Sequence, residues 1–212
     1  SNLRSIKISK LIDKNIPNSS NNSILDIGCG TGVLLKKLLS IDKESKFFGL
    51  DFSKNMLDNT VLSEDDMKRV NLCQGSAFEL PFEDDKFNAV VCTRFIHQYS
   101  HELKQKLILE MKRVLKPGGI LIIEFYSFLP RLIRYPISFH KIAFSEYFKH
   151  GTTMKEVELL IGSNYVRENL ILPFPSFLHK ILGIKNFIRL CQSIPKIGLS
   201  PIIDQFLICS RK

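Results

Sequence analysis

The sequence predicts an α/β domain in which helices cover both faces of a mostly parallel sheet. Three observations carry that expectation. Short apolar runs such as SILDIG, KFFGLD and VNLCQG alternate with segments whose apolar residues recur at helical spacing. Those runs are apolar at consecutive positions, as strands covered on both sides must be. The 212 residues, 44% hydrophobic and 24% charged, supply the core of one domain and no more.

The elements follow in order. Residues 3–12 carry Leu3, Ile6, Leu11 and Ile12 at helical spacing, and the polar run from Asn18 to Ser23 ends that helix. Residues 23–28 form the first strand, stopping at glycine, and Val33, Leu34, Leu38, Leu39 and Ile41 continue with helical period. Residues 46–51 form a strand ending in an acid, and Ser53 caps a helix running toward Leu62. Residues 70–75 and 86–92 are two further strands joined by the polar, proline-bearing LPFEDD. Ser100 caps a helix over 101–115 with Leu103, Leu107, Ile108, Met111, Val114 and Leu115 on one face; KPGG stops it and 119–126 is the next strand. Thr153 and Glu156 predict a capping box for a helix to about Ile161. Residues 165–172 and 201–209 read as the closing strands. Between them, 173–200 is too long for a hairpin loop and too apolar for disorder. With Phe177, Ile181 and Phe187 among Lys180, Lys185 and Arg189, it reads as a basic amphipathic helix interrupted by Gly183, suited to peripheral membrane contact or to packing on the sheet.

Composition excludes several classes. No 18-residue apolar run argues for a spanning helix. The opening residues lack the apolar stretch of a signal peptide, and Ser1-Asn2 in place of an initiator Met reads as a processing scar. Five cysteines without a CxxC pair suit buried free thiols in a reducing cytosol, which predicts a cytoplasmic protein; peripheral membrane contact rests on the 173–200 helix alone, with packing of that helix on the sheet as the favoured alternative. His101, His140, His150 and His179 follow no ligand spacing, so no metal is expected. The net charge of +9 lies entirely in the second half: residues 1–100 hold 13 basic and 13 acidic side chains, residues 101–212 hold 17 and 8. That asymmetry suits either a surface meeting an anionic or amphipathic partner or a solvated basic face.

The chemistry-bearing motif is ILDIGCGTG, residues 24–32. Its glycines, Gly28, Gly30 and Gly32, are spaced GxGxG, and Val33 stands where a dinucleotide fingerprint needs its last glycine. No Gly-Lys-Ser/Thr follows, so it is not a P-loop. A glycine-rich turn from strand to helix lets a ligand lie against bare backbone. Asp51, at the end of the next strand, can accept from both hydroxyls of a ribose; its alternative role is that of a helix N-terminal acid.

With LDIGCGTG (25–32), GLDFSKNML (49–57), GSAFELPFEDDKFNAVVC (75–92) and RVLKPGGILIIE (113–124) in this order, the sequence resembles the class I S-adenosylmethionine-dependent methyltransferases, in the branch acting mostly on small molecules and lipids. The resemblance implies a three-layer Rossmann-like fold with seven strands in the order 3-2-1-4-5-7-6, the last antiparallel. It implies a single domain over 1–212, with 1–125 holding the cofactor and 126–212 facing the substrate, the latter carrying lid insertions at 126–151 and 173–200. The implied cofactor is S-adenosyl-L-methionine, released as S-adenosyl-L-homocysteine. Gly28, Cys29 and Gly30 would lie under its methionine part, with Gly32 closing the loop and Asp26 orienting it, unless Asp26 only satisfies loop amides. Asp51 would hold the ribose diol, with Phe52 and Met56 along the adenine. Ser76 stands where the family often has an acid for the adenine amino group; its hydroxyl can accept without charge, so that contact is expected either to be weaker or to move to the Ala77 and Phe78 backbone. Thr93 and Arg94 would face the methyl end. The family often has Asp where Asn88 stands, a change expected to be structural.

His97, in FIHQY, is the candidate base, with a structural histidine as the alternative. Tyr99, Tyr126 and Tyr135 are candidates for an acceptor pocket or for core. No NPPY or DPPY follows the fourth strand, and no proline precedes Cys92, which argues against methylation of a nucleobase. The reading is therefore a small hydrophobic acceptor, lipid- or quinone-like. Two alternatives stand beside it: an RNA or protein methyltransferase docking through its basic half, and a binding module that holds the cofactor without turnover, toward which Ser76 leans.

Overall fold

A computed structural model of the chain describes residues 2–16, 22–126, 152–171 and 205–212. Seven strands form one sheet: β1 Ser23–Ile27, β2 Lys46–Asp51, β3 Val70–Gln74, β4 Phe87–Cys92, β5 Leu115–Tyr126, β6 Tyr165–Ile171 and β7 Gln205–Arg211. Their order is β3-β2-β1-β4-β5-β7-β6, parallel from β3 to β5, with β7 antiparallel to both neighbours. The helices are α1 Asn2–Asn15, α2 Val33–Ile41, α3 Lys54–Asp58, α4 Glu64–Met67, α5 His101–Val114 and α6 Met154–Ile161, with a 3₁₀ turn at Ile96–Gln98.

Strand alternation splits the apolar side chains between two cores. Leu25 and Ile27 of β1, Val90 and Cys92 of β4, and Leu121, Ile123 and Phe125 of β5 face α5 and α6, meeting Leu107, Met111, Val157 and Leu160. The intervening Ile24, Ala89, Val91, Ile120 and Ile122 face α1 and α2, meeting Ile8, Leu11, Leu35 and Leu38. Both faces are therefore dry, which explains why no polar alternation marks these strands. The change of direction at β1 and β4 opens the C-terminal edge of the sheet, where ligands of such folds bind.

Several boundaries differ from expectation. The helix begun by Ser53 lasts only to Asp58: Val61 N–H donates to Thr31 O (2.9 Å), pulling the chain against the glycine loop. A separate helix, α4, then starts at a capping box of Ser63 and Asp66. β5 begins at Leu115 opposite Phe87, loops out through KPGG, and resumes pairing at Ile120 opposite Ala89. Thr153 does cap α6, its hydroxyl accepting from Glu156 N–H, whereas the Glu156 carboxylate is taken by Lys104 Nζ (3.2 Å) and His101 Nδ1 (3.1 Å). β7 runs to Arg211, two residues past its expected end. Cys29, Cys92 and Cys209 are buried free thiols, as expected, and Cys73 is half-buried. The insertions at 127–151 and 173–200, with Tyr135, His140, His150, His179, Cys191 and the basic amphipathic segment, lie outside the described residues, as do 172 and 201–204. Among the described residues, no helix is long and apolar enough to cross a membrane and no group of side chains could hold a metal.

Candidate active site

The turn between β1 and α2 is built by its own backbone. Gly28 and Cys29 N–H both donate to Leu50 O, at 2.8 and 3.1 Å, so the loop leans onto the end of β2. Gly30 N–H donates to Asp51 Oδ2 (2.8 Å), and Asp51 Oδ1 accepts from Ser53 N–H (2.9 Å). Asp51 thereby joins the glycine loop to the start of α3, and each oxygen keeps a second acceptor position. Gly28 has φ +71°. A Cβ there would stand 2.7 Å from the Phe95 ring, so the close approach of Phe95 requires glycine. Gly30 has φ +56° and nothing within 4 Å of a built Cβ, so only its backbone conformation favours glycine.

Beside this loop lies a cleft of about 250 Å³ lined by Gly28, Leu50, Asp51, Phe52, Gly75, Ser76, Ala77, Phe78, Phe95 and Tyr99. Its walls are apolar and aromatic, with Phe78 and Phe95 rings 5.2 and 5.3 Å from Tyr99, and Asp51 is its one acid. That combination fits a nucleoside: a flat base between apolar walls and a diol at a carboxylate. Ser76 Oγ accepts from Phe78 N–H (3.2 Å), which turns the Ala77–Phe78 backbone along the cleft.

Charged side chains that do not line the cleft, Asp26, Arg94 and Glu124, meet near the ends of β1, β4 and β5. Asp26 is buried at the end of β1, and its carboxyl is pushed up to about 8, chiefly by burial, with Arg94 opposing the rise and Asp51 adding to it. Burial likewise pushes the Cys29 and Cys92 thiols up, which keeps both protonated and unreactive. Arg94 takes a left-handed φ of 54°, and its N–H donates to Glu124 Oε2 (3.1 Å). Glu124 is fully buried at the top of β5 and pairs through Oε1 with Arg4 Nη2 of α1 (2.8 Å). His97 lies in the 3₁₀ turn beyond, its ring 4.3 Å from that of Tyr126.

Comparison with known proteins decides the family: a model described as a methyltransferase domain matches residues 18–166. The chain belongs to that methyltransferase family. An uncharacterized protein of Rickettsia prowazekii is 31% identical over 180 residues, covering 82% of this chain and 71% of that protein. The demethylmenaquinone methyltransferase of Staphylococcus aureus is 36% identical over 119 residues, 53% of this chain and 46% of that protein. The chain thus spans about half the length of that relative. In fold it is similar to phosphoethanolamine N-methyltransferase 2 of Haemonchus contortus in complex with S-adenosyl-L-methionine, at a TM-score of 0.63 and 17% identity over 99% of this chain and 52% of that one. The strand order is the one the family resemblance implies, and the domain is a class I S-adenosylmethionine-dependent methyltransferase.

Of the residues singled out in the sequence of this methyltransferase, Gly28, Asp51, Phe52, Ser76, Ala77 and Phe78 line one cleft. Gly30 meets it through Asp51, whereas Cys29 turns its thiol under the loop toward Gly49. Gly32 serves as the N-cap of α2. Met56 is half exposed on α3, and Thr93 is buried at the end of β4 beside the exposed Arg94; none of the three lines the cleft. Sequence reasoning missed Leu50, Gly75, Phe95 and Glu124. A readable signal existed for Glu124 alone, a single acid inside the apolar run ILIIEFY.

Proposed function

We propose that this methyltransferase acts on a small, apolar, quinone-like acceptor. The observation that carries the reading is the aromatic set at and after the 3₁₀ turn, apart from the Phe52 and Phe78 walls given to the adenine: the Phe95 ring lies 5.3 Å from that of Tyr99, and the His97 ring 4.3 Å from that of Tyr126. Aromatic walls with few charges suit a planar, hydrophobic acceptor better than a polar chain. The demethylmenaquinone methyltransferase similarity points the same way.

The cofactor is held by this chain's residues in named roles. Asp51 accepts from the ribose hydroxyls through its remaining acceptor positions, reinforced by their charge-assisted character. Phe52, Ala77 and Phe78 flank the adenine, with Met56 at its outer edge and Ser76 ordering the backbone beneath. The bare peptide of Gly28, Cys29 and Gly30 lies under the methionine part, which Asp26, Thr93 and Arg94 surround; Gly32 starts α2 behind it. When bound, S-adenosylmethionine supplies a methyl group already activated on a sulfonium. The protein's own work is then to align the acceptor and exclude water. A ring nitrogen of His97 takes the acceptor's proton, and Tyr126 holds the imidazole by its tilted ring contact.

Incubation with methyl-labelled cofactor, a ring-unmethylated isoprenoid naphthoquinone kept reduced as its nucleophilic quinol by dithionite, bulk tRNA and protein tests the reading. Label is expected in the organic extract. His97→Ala is expected to lower kcat by about 10²–10⁴-fold while leaving S-adenosylhomocysteine affinity in place. Label confined to tRNA or protein would replace the quinone-like acceptor with a macromolecule.

A further inference from the structure

A second concavity, of about 610 Å³, lies at the opposite edge of the sheet from the cofactor cleft. It is bounded by the end of α1, the start of β4, the KPGG turn of β5 and the end of β7. We propose that it is an anion site that takes a phosphate-bearing ligand of about diphosphate size.

Three cations line it, Lys14, Lys116 and Arg211, against one acid, Asp13. Their hydrogen-bond acceptors are neutral: Lys116 Nζ donates to Asn88 Oδ1 (3.1 Å) and Arg211 Nη2 to Asn15 O (3.1 Å). Among the described residues, none of the three forms an ion pair. Pairing is nonetheless used nearby, where Lys212 reaches Asp85. The carbonyl end of α1 attracts positive charge, but Arg211 alone meets that need through Asn15 O. Lys14 and Arg211 both bear on the Cys209 thiol, which burial raises and these two cations lower, so they share one neighbourhood.

Asn88 carries the argument furthest. Its Oδ1 accepts from Ser23 N–H (3.0 Å) and from Lys116 Nζ. A carboxylate would make both contacts and would also neutralise Lys116. The amide leaves that charge free to act on the groove. Like charges gathered round a concavity repel, and an anion seated among them relieves the repulsion while using the ammonium and guanidinium protons that remain. Unlike a carboxylate ligand, a phosphate or diphosphate offers enough oxygens for all three side chains at once.

Pyrophosphate titration by calorimetry, at about 50 and about 200 mM salt, is the test. Binding is expected, weakening several-fold at the higher salt. Asn88→Asp is expected to weaken it about tenfold or more, and Lys116→Gln likewise, with melting temperature and S-adenosylhomocysteine affinity unchanged. Should Asn88→Asp not fold, Lys116→Gln carries the test. Flotation with phosphatidylglycerol vesicles separates the sources: loss on Asn88→Asp assigns the phosphate to a lipid headgroup, and pyrophosphate binding without flotation assigns it to a free ligand. The proposal is overturned if neither probe binds, or if both variants bind as tightly as the parent.

Discussion

At the scale of single residues, the glycine loop separates two reasons for glycine. Gly28 faces a wall, with a built Cβ 2.7 Å from Phe95, whereas Gly30 faces open space. Both have positive φ, so an alanine at either pays about 1 kcal/mol or more in backbone strain. Gly30→Ala is therefore expected to cost about 1 kcal/mol in urea unfolding and to leave Phe95 in place. Gly28→Ala should cost more and displace Phe95 from the cleft, weakening S-adenosylhomocysteine binding by at least about tenfold in calorimetry. Equal effects at the two positions would refute the distinction. Asp26 supports a pH prediction. Its carboxyl is raised from an ordinary value of 3.8 to about 8, first by burial. The folded chain thus holds a proton there that the unfolded chain releases, so this contribution to stability is complete below about pH 4 and is lost as pH rises through about 8. Asp26→Asn should flatten that decline in denaturation curves taken between those limits. A ligand whose ammonium pairs with ionised Asp26 should bind more tightly toward pH 8 and release a proton, measurable as buffer-dependent heat; heat independent of the buffer would exclude the pairing.

At the scale of elements, α1 is fixed at both ends. Arg4 joins Glu124 at the cofactor edge, Lys7 reaches Glu168 of β6 (3.3 Å), and Arg211 caps the far carbonyl at Asn15. Glu124 is fully buried and also holds the strained Arg94 turn, so the loss of its guanidinium partner leaves a charge without its counterion. Arg4→Ala is expected to cost about 3 kcal/mol in urea unfolding, whereas Arg4→Met combined with Glu124→Gln recovers most of that. A double variant as unstable as the single one would show that packing of α1, not charge, is at stake. These ties also mark what the sequence conceals. The apolar spacing of α5, the Ser100 cap and the β1 run are local signals, and they place those elements within a residue or two. Arg4 and Glu124 are 120 positions apart, and no local pattern pairs them. The early end of α3 is hidden for the same reason, since it depends on a hydrogen bond from Val61 to Thr31 across the loop.

At the scale of the molecule, the sheet order followed from family resemblance rather than from strand spacing, because consecutive apolar runs say that strands are buried and not which neighbours they take. The wall of the cleft proposed for the cofactor was legible at Gly28, Asp51 and Phe52, because bare backbone and a terminal acid each leave a residue-type signature. The acceptor half was not, because an apolar pocket and an apolar core draw on the same residues. The cofactor site therefore gives the sharpest global prediction. A ligand that binds only the folded chain stabilises it by about 2.7 kcal/mol at a concentration 100-fold above its Kd. For a domain of this size each kcal/mol moves Tm by about 2–4 °C, so S-adenosylhomocysteine should raise Tm by about 5–10 °C. Asp51 couples the cleft to the fold through Gly30 and Ser53, which makes Asp51→Ala ambiguous alone: it removes the proposed ribose acceptor and loosens the loop together. Asp51→Asn separates the two, since its one carbonyl oxygen can keep a single loop contact while the charge is gone. Its unliganded Tm should lie between that of the parent and that of Asp51→Ala, and its ligand-induced rise should fall to a few degrees. A full rise in Asp51→Asn would show that the carboxylate organises the loop and contributes nothing to the ligand.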